Sequence, residues 1–190
     1  MKEVGVDQVE QKRIETARLI LRPYTYDDLK DVFGYASDPE VTKYLLWDAH
    51  KTLEDSQNFL NWIKSMTCAE QGKVFFVYAI WSKENKKVIG SIDFKNTNKF
   101  GGQMDYAIGK AYWGKGYVSE AATALKVWAF GNFPEIVRLQ AYCQPENIGS
   151  QRVMKKVGME YEGLRKKSFV VKNKPVDLVH YALIRDTELS

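Results

Sequence analysis

Residues Trp113-Gly114-Lys115-Gly116-Tyr117-Val118-Ser119-Glu120-Ala121 read as a glycine turn that runs directly into a helix. Such a junction can hold phosphate oxygens. The first N–H groups of a helix have no partner inside it, and the aligned peptide dipoles leave roughly +0.5 of a charge at that end. Gly114 and Gly116 have no Cβ, so the backbone can turn left-handed and approach a ligand closely, while Lys115 between them adds a point charge. A simple strand-to-helix connector would use the same residues, so the turn alone leaves both roles open. Spacing excludes two familiar phosphate loops: there is no Gly-x-x-x-x-Gly-Lys-[Ser/Thr] run, and Ser119 occupies the third position of a Gly-x-Gly-x-x-Gly fingerprint.

The chain that must position this turn has 190 residues, 45% of them hydrophobic, enough for one domain with a proper core. Its formal charge of +4 comes from interleaved acidic and basic residues. The densest basic patch, Arg165-Lys166-Lys167 with Lys172 and Lys174, lacks a stacked aromatic platform and reads as a solvated hairpin, so no nucleic-acid partner is expected. Cys68 and Cys143 lie far apart with no Cys-x-x-Cys spacing, which argues against structural zinc and against a disulfide framework. Residues 1–14 are polar without an apolar leader segment, and no apolar run reaches 18 residues, so a cytoplasmic protein without a membrane partner is expected.

Periodicity gives the elements. Residues 1–15 read as a flexible polar lead-in and 16–190 as a single domain. Leu19 to Pro23 forms a short strand, followed by a helix capped near Thr25 or Tyr26 and ending by Asp38-Pro39. A longer helix spans about Thr52 to Cys68, with Thr52 as N-cap and Leu53, Phe59, Leu60, Ile63 and Met66 as its buried stripe. Strands are expected at 73–81, 88–94 and 103–109, then a helix at 117–131, a strand at 136–143, a helix at 148–157 opened by the N-cap Asn147, and strands at 159–171 and 175–184. An antiparallel meander with one strand-helix-strand crossover is α+β rather than a doubly wound sheet.

This order of elements, with Thr16-Ala17-Arg18-Leu19-Ile20-Leu21-Arg22-Pro23, Tyr112-Trp113-Gly114-Lys115-Gly116-Tyr117, Ser119-Glu120-Ala121, Asn147-Ile148-Gly149-Ser150 and Lys156-Val157-Gly158-Met159, resembles the GNAT superfamily of acyl-CoA-dependent N-acetyltransferases. Within it the chain looks like the branch of the ribosomal-protein N-terminal alanine acetyltransferases. The resemblance spans residues 16–185 and implies a mixed, mostly antiparallel sheet of six or seven strands, helices on both faces, and a central pair of parallel strands that splay apart. It implies acetyl-CoA as donor. The pyrophosphate would lie on the N–H groups of Gly114, Lys115, Gly116, Tyr117, Val118 and Ser119, with Val118, where a smaller residue is common, narrowing the approach. The pantetheine arm would pair with Tyr106, Ala107 and Ile108 and touch Asn147, and the Ser150 hydroxyl would reach the thioester sulfur. The oligomer implied is left open between monomer and homodimer.

An amine attacks a thioester only when neutral, so a group or water must take its proton and the leaving thiolate must be stabilised. Neither cysteine sits in a triad-like setting, which favours direct attack in a ternary complex. Many family members use a Tyr seven residues after the Asn as acid, but that position is Met154, so Ser150 is the candidate. The Glu familiar in this branch is replaced by Gln103, which cannot accept a proton. Asp105 is then the first candidate base, Asp93 the second, and solvent the third. His50 and His180 are not expected to be catalytic, and Glu120 reads as a first-turn acid that complements the helix dipole. Tyr24, Tyr44, Trp47 and Trp62 fall in the region that shapes the acceptor cleft. The acceptor expected is a primary amine, such as a protein N-terminal α-amine. A small amine (polyamine, amino sugar or drug) and a non-catalytic acyl-CoA-binding module stand as alternatives.

Overall fold

The run from Lys73 to Trp81 is apolar without a break because its strand is covered on both sides. Phe76, Tyr78 and Ile80 belong to one core, and the intervening Val77 and Ala79 to a second core on the opposite face. The computed structural model describes residues 9–70 and 72–185. In chain order its elements are β1 (Ile14–Glu15), β2 (Leu19–Pro23), α1 (Leu29–Ala36), α2 (Pro39–Thr42), α3 (Leu53–Met66), β3 (Cys68–Glu70), β4 (Lys73–Ser82), β5 (Lys87–Asn98), β6 (Gly101–Ile108), α4 (Tyr117–Asn132), β7 (Arg138–Cys143), α5 (Ile148–Val157), β8 (Glu160–Val171) and β9 (Lys174–Ile184).

Among the described residues the strands form one sheet in the order β1-β2-β4-β5-β6-β7-β9-β8, with β3 pairing β4 past the end of β2. Helices α4 and α5 pack on one face, where Trp128 contacts Phe76, Tyr78, Phe94 and Phe133. Helices α1 and α3 pack on the other through Val32, Tyr35, Leu60 and Ile63. The caps follow from sequence: Thr52 Oγ1 accepts from Asp55 N while Asp55 Oδ2 accepts from Thr52 N, and Thr25 and Asp28 repeat the box ahead of α1.

Several details differ from the sequence reading: a one-turn helix α2 follows at Pro39, where the first helix was expected to end, and β5 runs on to Asn98 beyond the expected 88–94. Among the described residues the sheet has nine strands rather than six or seven, because β1 and β3 are edge pieces of two and three residues, too short to carry a periodic signal. Order also starts before Thr16. Gln11 Nε2 donates to Val77 O at 2.7 Å and Ile14 pairs with Leu21; residues 1–8 of the expected lead-in lie outside the described residues. Finally, Leu53 and Met66, at the two ends of α3, are each 45% exposed, while Leu60 and Ile63 between them are buried. A helical stripe gives direction but not how far the sheet beneath extends.

All neighbouring strands run antiparallel except β6 and β7, whose parallel register covers only Gly101–Gln103 against Arg138–Gln140. Beyond this the two strands part. Gly109 N donates to Ile89 O at 2.9 Å, so by the alternation of an antiparallel ladder Ala107 and Asp105 bond to β5, and Tyr106 and Ile108 turn their N–H and C=O groups away from it. Likewise Arg185 N donates to Val137 O at 2.7 Å, which turns Tyr142 away from β9. Two rows of backbone groups therefore face each other across a widening gap.

Gly90 shows how tightly the β5 side of this gap is built, since a Cβ there would stand 2.3 Å from Ala107 O and 2.9 Å from Ile108 Cα. Both are backbone atoms and cannot swing aside. Gly90→Ala is expected to destabilise the fold by about 1–3 kcal/mol, measured by denaturant unfolding; a change below about 0.5 kcal/mol, the size of an ordinary surface substitution, would show that the strands can separate freely.

Candidate active site

A groove of about 1680 Å³ runs through the gap and is lined by Asp105, Tyr106 and Ala107 of β6, Ala141 to Cys143 of β7, and Asn147 and Ser150 at the start of α5. The edge of β6 is held in place at its end. Trp113 Nε1 donates to Ile108 O at 2.9 Å, occupying one outward carbonyl and leaving Tyr106 N, Tyr106 O and Ile108 N directed into the gap.

The glycine turn follows this edge, outside the groove proper. Gly114 and Gly116 both adopt positive φ, +73° and +79°, and Gly116 is the N-cap of α4. The turn is fastened from behind by Arg18, whose Nη1 donates to Lys115 O at 3.0 Å and whose guanidinium carbon lies 4.4 Å from the Tyr117 ring centroid. Glu120 completes the clamp by accepting from Thr16 Oγ1, Arg18 N and Arg18 Nε at 2.6, 2.9 and 2.6 Å. Burial opposes its charge, but these hydrogen bonds prevail and hold the Glu120 carboxyl below its usual pKa. Glu120 thus joins the turn between β1 and β2 to α4, beyond the dipole role read from sequence. Val118 is buried, so it faces inward and does not narrow the approach to the turn.

On the α4 and α5 face, two hydroxyls meet beside the gap. Tyr106 OH and Ser150 Oγ are 2.9 Å apart, and Ser150 N donates to Asn147 Oδ1 at 3.1 Å, the N-cap bond that orients this turn. Burial pushes the Tyr106 phenol well above its usual pKa, against the pull of the Ser150 hydrogen bond. Burial likewise raises the Cys143 thiol, to about 11, which keeps it protonated and unreactive. Met154 is buried and packs in the core.

On the α1 and α3 face, side chains from three strands form rows. Val77, Asp93 and Asp105 are cross-strand partners, and beside them stand Phe75, Lys95 and Gln103. Asp105 Oδ2 accepts from Lys95 Nζ at 2.8 Å and from Gln103 Nε2 at 2.9 Å. Asp93 has no such side-chain donor: its Oδ1 is shielded from solvent without a hydrogen bond among the described residues, and only the Asp105 backbone N–H and the more distant charge of Lys95 favour its ionised form. Burial first, then the charge of Asp105, pushes the Asp93 carboxyl well above the usual carboxylate range. Gln103, the residue that sequence comparison marked as unable to accept a proton, instead ties Asp105 to Gln140 of β7.

Over these rows lies an aromatic wall of Trp47, Phe59, Trp62 and Phe75, with ring centroids successively 5.6, 6.0 and 6.0 Å apart. His50 joins it at 5.0 Å from Trp47, its Nδ1 2.8 Å from Ser56 Oγ. The loop carrying Tyr44 and Trp47 is strapped across the gap, because Tyr44 OH donates to Glu146 O at 3.4 Å and Lys172 Nζ donates to Thr42 O at 2.9 Å and pairs with Asp48.

The structure thus gathers Asp105, Tyr106, Ala107, Asn147 and Ser150 along one groove, with Asp93, Tyr44, Trp47 and Trp62 in its lining. Tyr24 is not there: it is buried, donating to Gly90 O at 3.0 Å and lying 3.1 Å from Tyr35 OH. The Tyr106 phenol was missed as a chemical group, because only its backbone was considered. Its position one residue after Asp105 on a strand, and therefore on the opposite face, was the available signal.

The comparisons with known proteins agree with this geometry. Residues 18–160 match the family model described as an acetyltransferase (GNAT) domain. An uncharacterised N-acetyltransferase of Bacillus subtilis, YnaD, is 35% identical over 177 residues, covering 91% of this chain and 97% of that protein. The crystal structure of a GNAT-family acetyltransferase from Bacillus anthracis superposes with a TM-score of 0.80 at 30% identity, covering 93% and 100% of the two chains. The ribosomal L7/L12 α-N-protein acetyltransferase RimL, solved with coenzyme A, shares the fold at a TM-score of 0.77 and 18% identity, over 92% and 99%. The chain belongs to the GNAT acetyltransferases, enzymes that pass an acetyl group from acetyl-CoA to an amine.

Proposed function

We propose that the protein acetylates a primary amine by direct attack within a ternary complex, with acetyl-CoA laid along the free edge of β6. The observation that carries this reading is the outward backbone of Tyr106 and Ile108, flanked by hydroxyls on one sheet face and carboxyls on the other. The N–H groups from Gly114 to Ser119, with Lys115, would hold the pyrophosphate. Tyr106 N, Tyr106 O and Ile108 N would take the pantetheine amides as an added strand does; Ala107, expected to pair with the arm as well, has its backbone turned to β5 and would only line it, and Asn147 would receive the arm at the start of α5.

Ser150 is the proton donor to the departing sulfur, and Tyr106, 2.9 Å behind it, supplies the hydrogen bond that keeps its oxygen satisfied once the proton has moved. The amine proton goes to a carboxylate on the other face. Asp105 was the first candidate, but its Oδ2 already holds Lys95 and Gln103. Asp93, raised in pKa and without a partner on Oδ1, is the better base, with Asp105 as the charge that tunes it. These groups stand in for the two that this chain lacks at Met154 and Gln103, which favours turnover over mere acyl-CoA binding.

The lead acceptor is a protein or peptide N-terminal α-amine, the acceptor class of the fold neighbour RimL, an α-N-protein acetyltransferase; the groove of about 1680 Å³ has to hold the donor's arm as well as the acceptor. Small amines are the second reading, favoured by the aromatic wall. Release of coenzyme A against a panel of amines and peptides tests the whole proposal, and tight acetyl-CoA binding with no turnover on any of them would sink it.

Ser150→Ala and Tyr106→Phe are each expected to lower kcat about tenfold or more with the KM for acetyl-CoA nearly unchanged; an unaltered kcat removes that residue from the chemistry. Gly116→Val forces a β-branched residue to φ +79° and should raise the Kd for acetyl-CoA about tenfold, a strain of roughly 1–2 kcal/mol; equal affinity by calorimetry would contradict the cradle.

Asp93 also makes a prediction independent of activity. Its folded carboxyl binds protons more tightly than its unfolded one. Stability therefore falls as pH rises above the ordinary carboxylate value of about 4 towards the raised folded value. Asp93→Asn removes that penalty, so the Tm of the variant relative to the parent should increase from pH 5 to pH 8. The same variant should lose about a hundredfold or more in kcat/KM. A Tm difference flat with pH would show that Asp93 titrates normally.

A further inference from the structure

We propose that the aromatic wall is an acceptor subsite selecting amines that carry an aromatic or large apolar group within a few bonds of the nitrogen. The inference rests on the acetyl-transfer reading above and adds the chemistry of the acceptor. Trp62 is 46% exposed and Met66 45%, and both line the groove beside the partly buried Trp47, Phe59 and Phe75. Isolated exposed apolar residues are ordinary, but a contiguous row of rings along a cleft marks a surface that is covered when a ligand is bound. Each ring in the row packs against the next.

Charge says which end of the ligand goes where. Phe75 faces Lys95 across the strand pair, and Asp93 is two residues before Lys95 on the same face. Diagonal neighbours of this kind stand about 7–8 Å apart. A nitrogen held at the Asp93 and Asp105 carboxyls would therefore place a substituent two to four bonds away against Phe75, Trp62 and Phe59. A second cationic centre fits poorly there. Lys95 Nζ already lies 6.0 Å from the Phe75 ring centroid, and Lys73 and Lys99 also line the groove, so a polyamine would meet like charge where an aromatic group meets rings. Two sources share the favoured chemistry: a small arylalkylamine, and a peptide whose N-terminal residue has an aromatic or large aliphatic side chain.

The test uses the full chain with saturating acetyl-CoA and two matched arms. One compares phenethylamine with ethylamine and putrescine, and the other a tripeptide beginning with Phe with one beginning with Gly. The expected result is a kcat/KM at least tenfold higher for the aromatic member in one arm, and that arm identifies the source. Trp62→Ala should raise the KM for that acceptor about tenfold while leaving the KM for acetyl-CoA and kcat within about twofold, and Trp62→Phe should restore most of the loss. Equal or better use of ethylamine, putrescine and the Gly peptide overturns the subsite while leaving acetyl transfer intact. If no amine turns over, the acetyl-transfer reading fails. The subsite is then judged by tryptophan fluorescence: saturable quenching by phenethylamine that disappears in Trp62→Ala supports it, and no response overturns it. Sedimentation showing a dimer whose dissociation exposes Trp62 to iodide quenching would assign the wall to a second copy and overturn it as well.

Discussion

The parting of β6 from β7 is the constraint on which the rest of the structure depends. A sheet normally satisfies both edges of an interior strand, and leaving backbone N–H and C=O groups unpaired costs free energy unless water or a ligand takes the place of the neighbour. Here β6 stays with β5 as far as Ile108 while β7 follows β9 as far as Cys143, so each strand keeps one full ladder and gives up the other. The gap is therefore not a local defect. It is the seam between two halves of the sheet, each held by its own antiparallel partner, and joined by a short parallel register at Gly101–Gln103.

Strand alternation then sorts the chemistry. Asp105 and Tyr106 are adjacent in the chain and so project to opposite faces. Tyr106 meets Ser150 on the α5 side, and Asp105 meets Asp93 and Lys95 on the α3 side. Proton-donating and proton-accepting groups are thereby kept on opposite sides of the β6 edge and do not occupy each other by hydrogen bonding. The same rows explain the division between the two aspartates. Lys95 stabilises the charge on Asp105, and that charge, together with burial, makes ionisation of Asp93 harder. Coulombic repulsion between facing carboxyls is strong where solvent is excluded.

The anchoring of the glycine turn is remote from both. Arg18 and Glu120 join the turn between β1 and β2 to the start of α4, with Thr16 and the Arg18 backbone as further donors. This clamp explains why a turn with two left-handed residues and an exposed backbone holds one shape. A turn of this kind left to itself would lose much of the preorganisation that makes a helix N-terminus useful for binding anions.

Much of this was legible in the chain. Periodicity located every helix and strand long enough to repeat, the Thr25 and Thr52 caps were readable as residue types, and the glycine turn, Asn147 and Ser150 stood out by spacing alone. Edge strands of two and three residues were not legible, because a period needs more than one repeat to register. Nor was the exchange of roles between Asp105 and Asp93, or the meeting of Tyr106 with Ser150, 44 positions apart. Sequence by itself determined local structure and the chemical types available, since hydrogen-bonding geometry and side-chain period act over a few residues. Only the tertiary structure decided which carboxyl is buried, which is paired and which hydroxyls touch, because burial and charge proximity are set by strands brought together from distant parts of the chain.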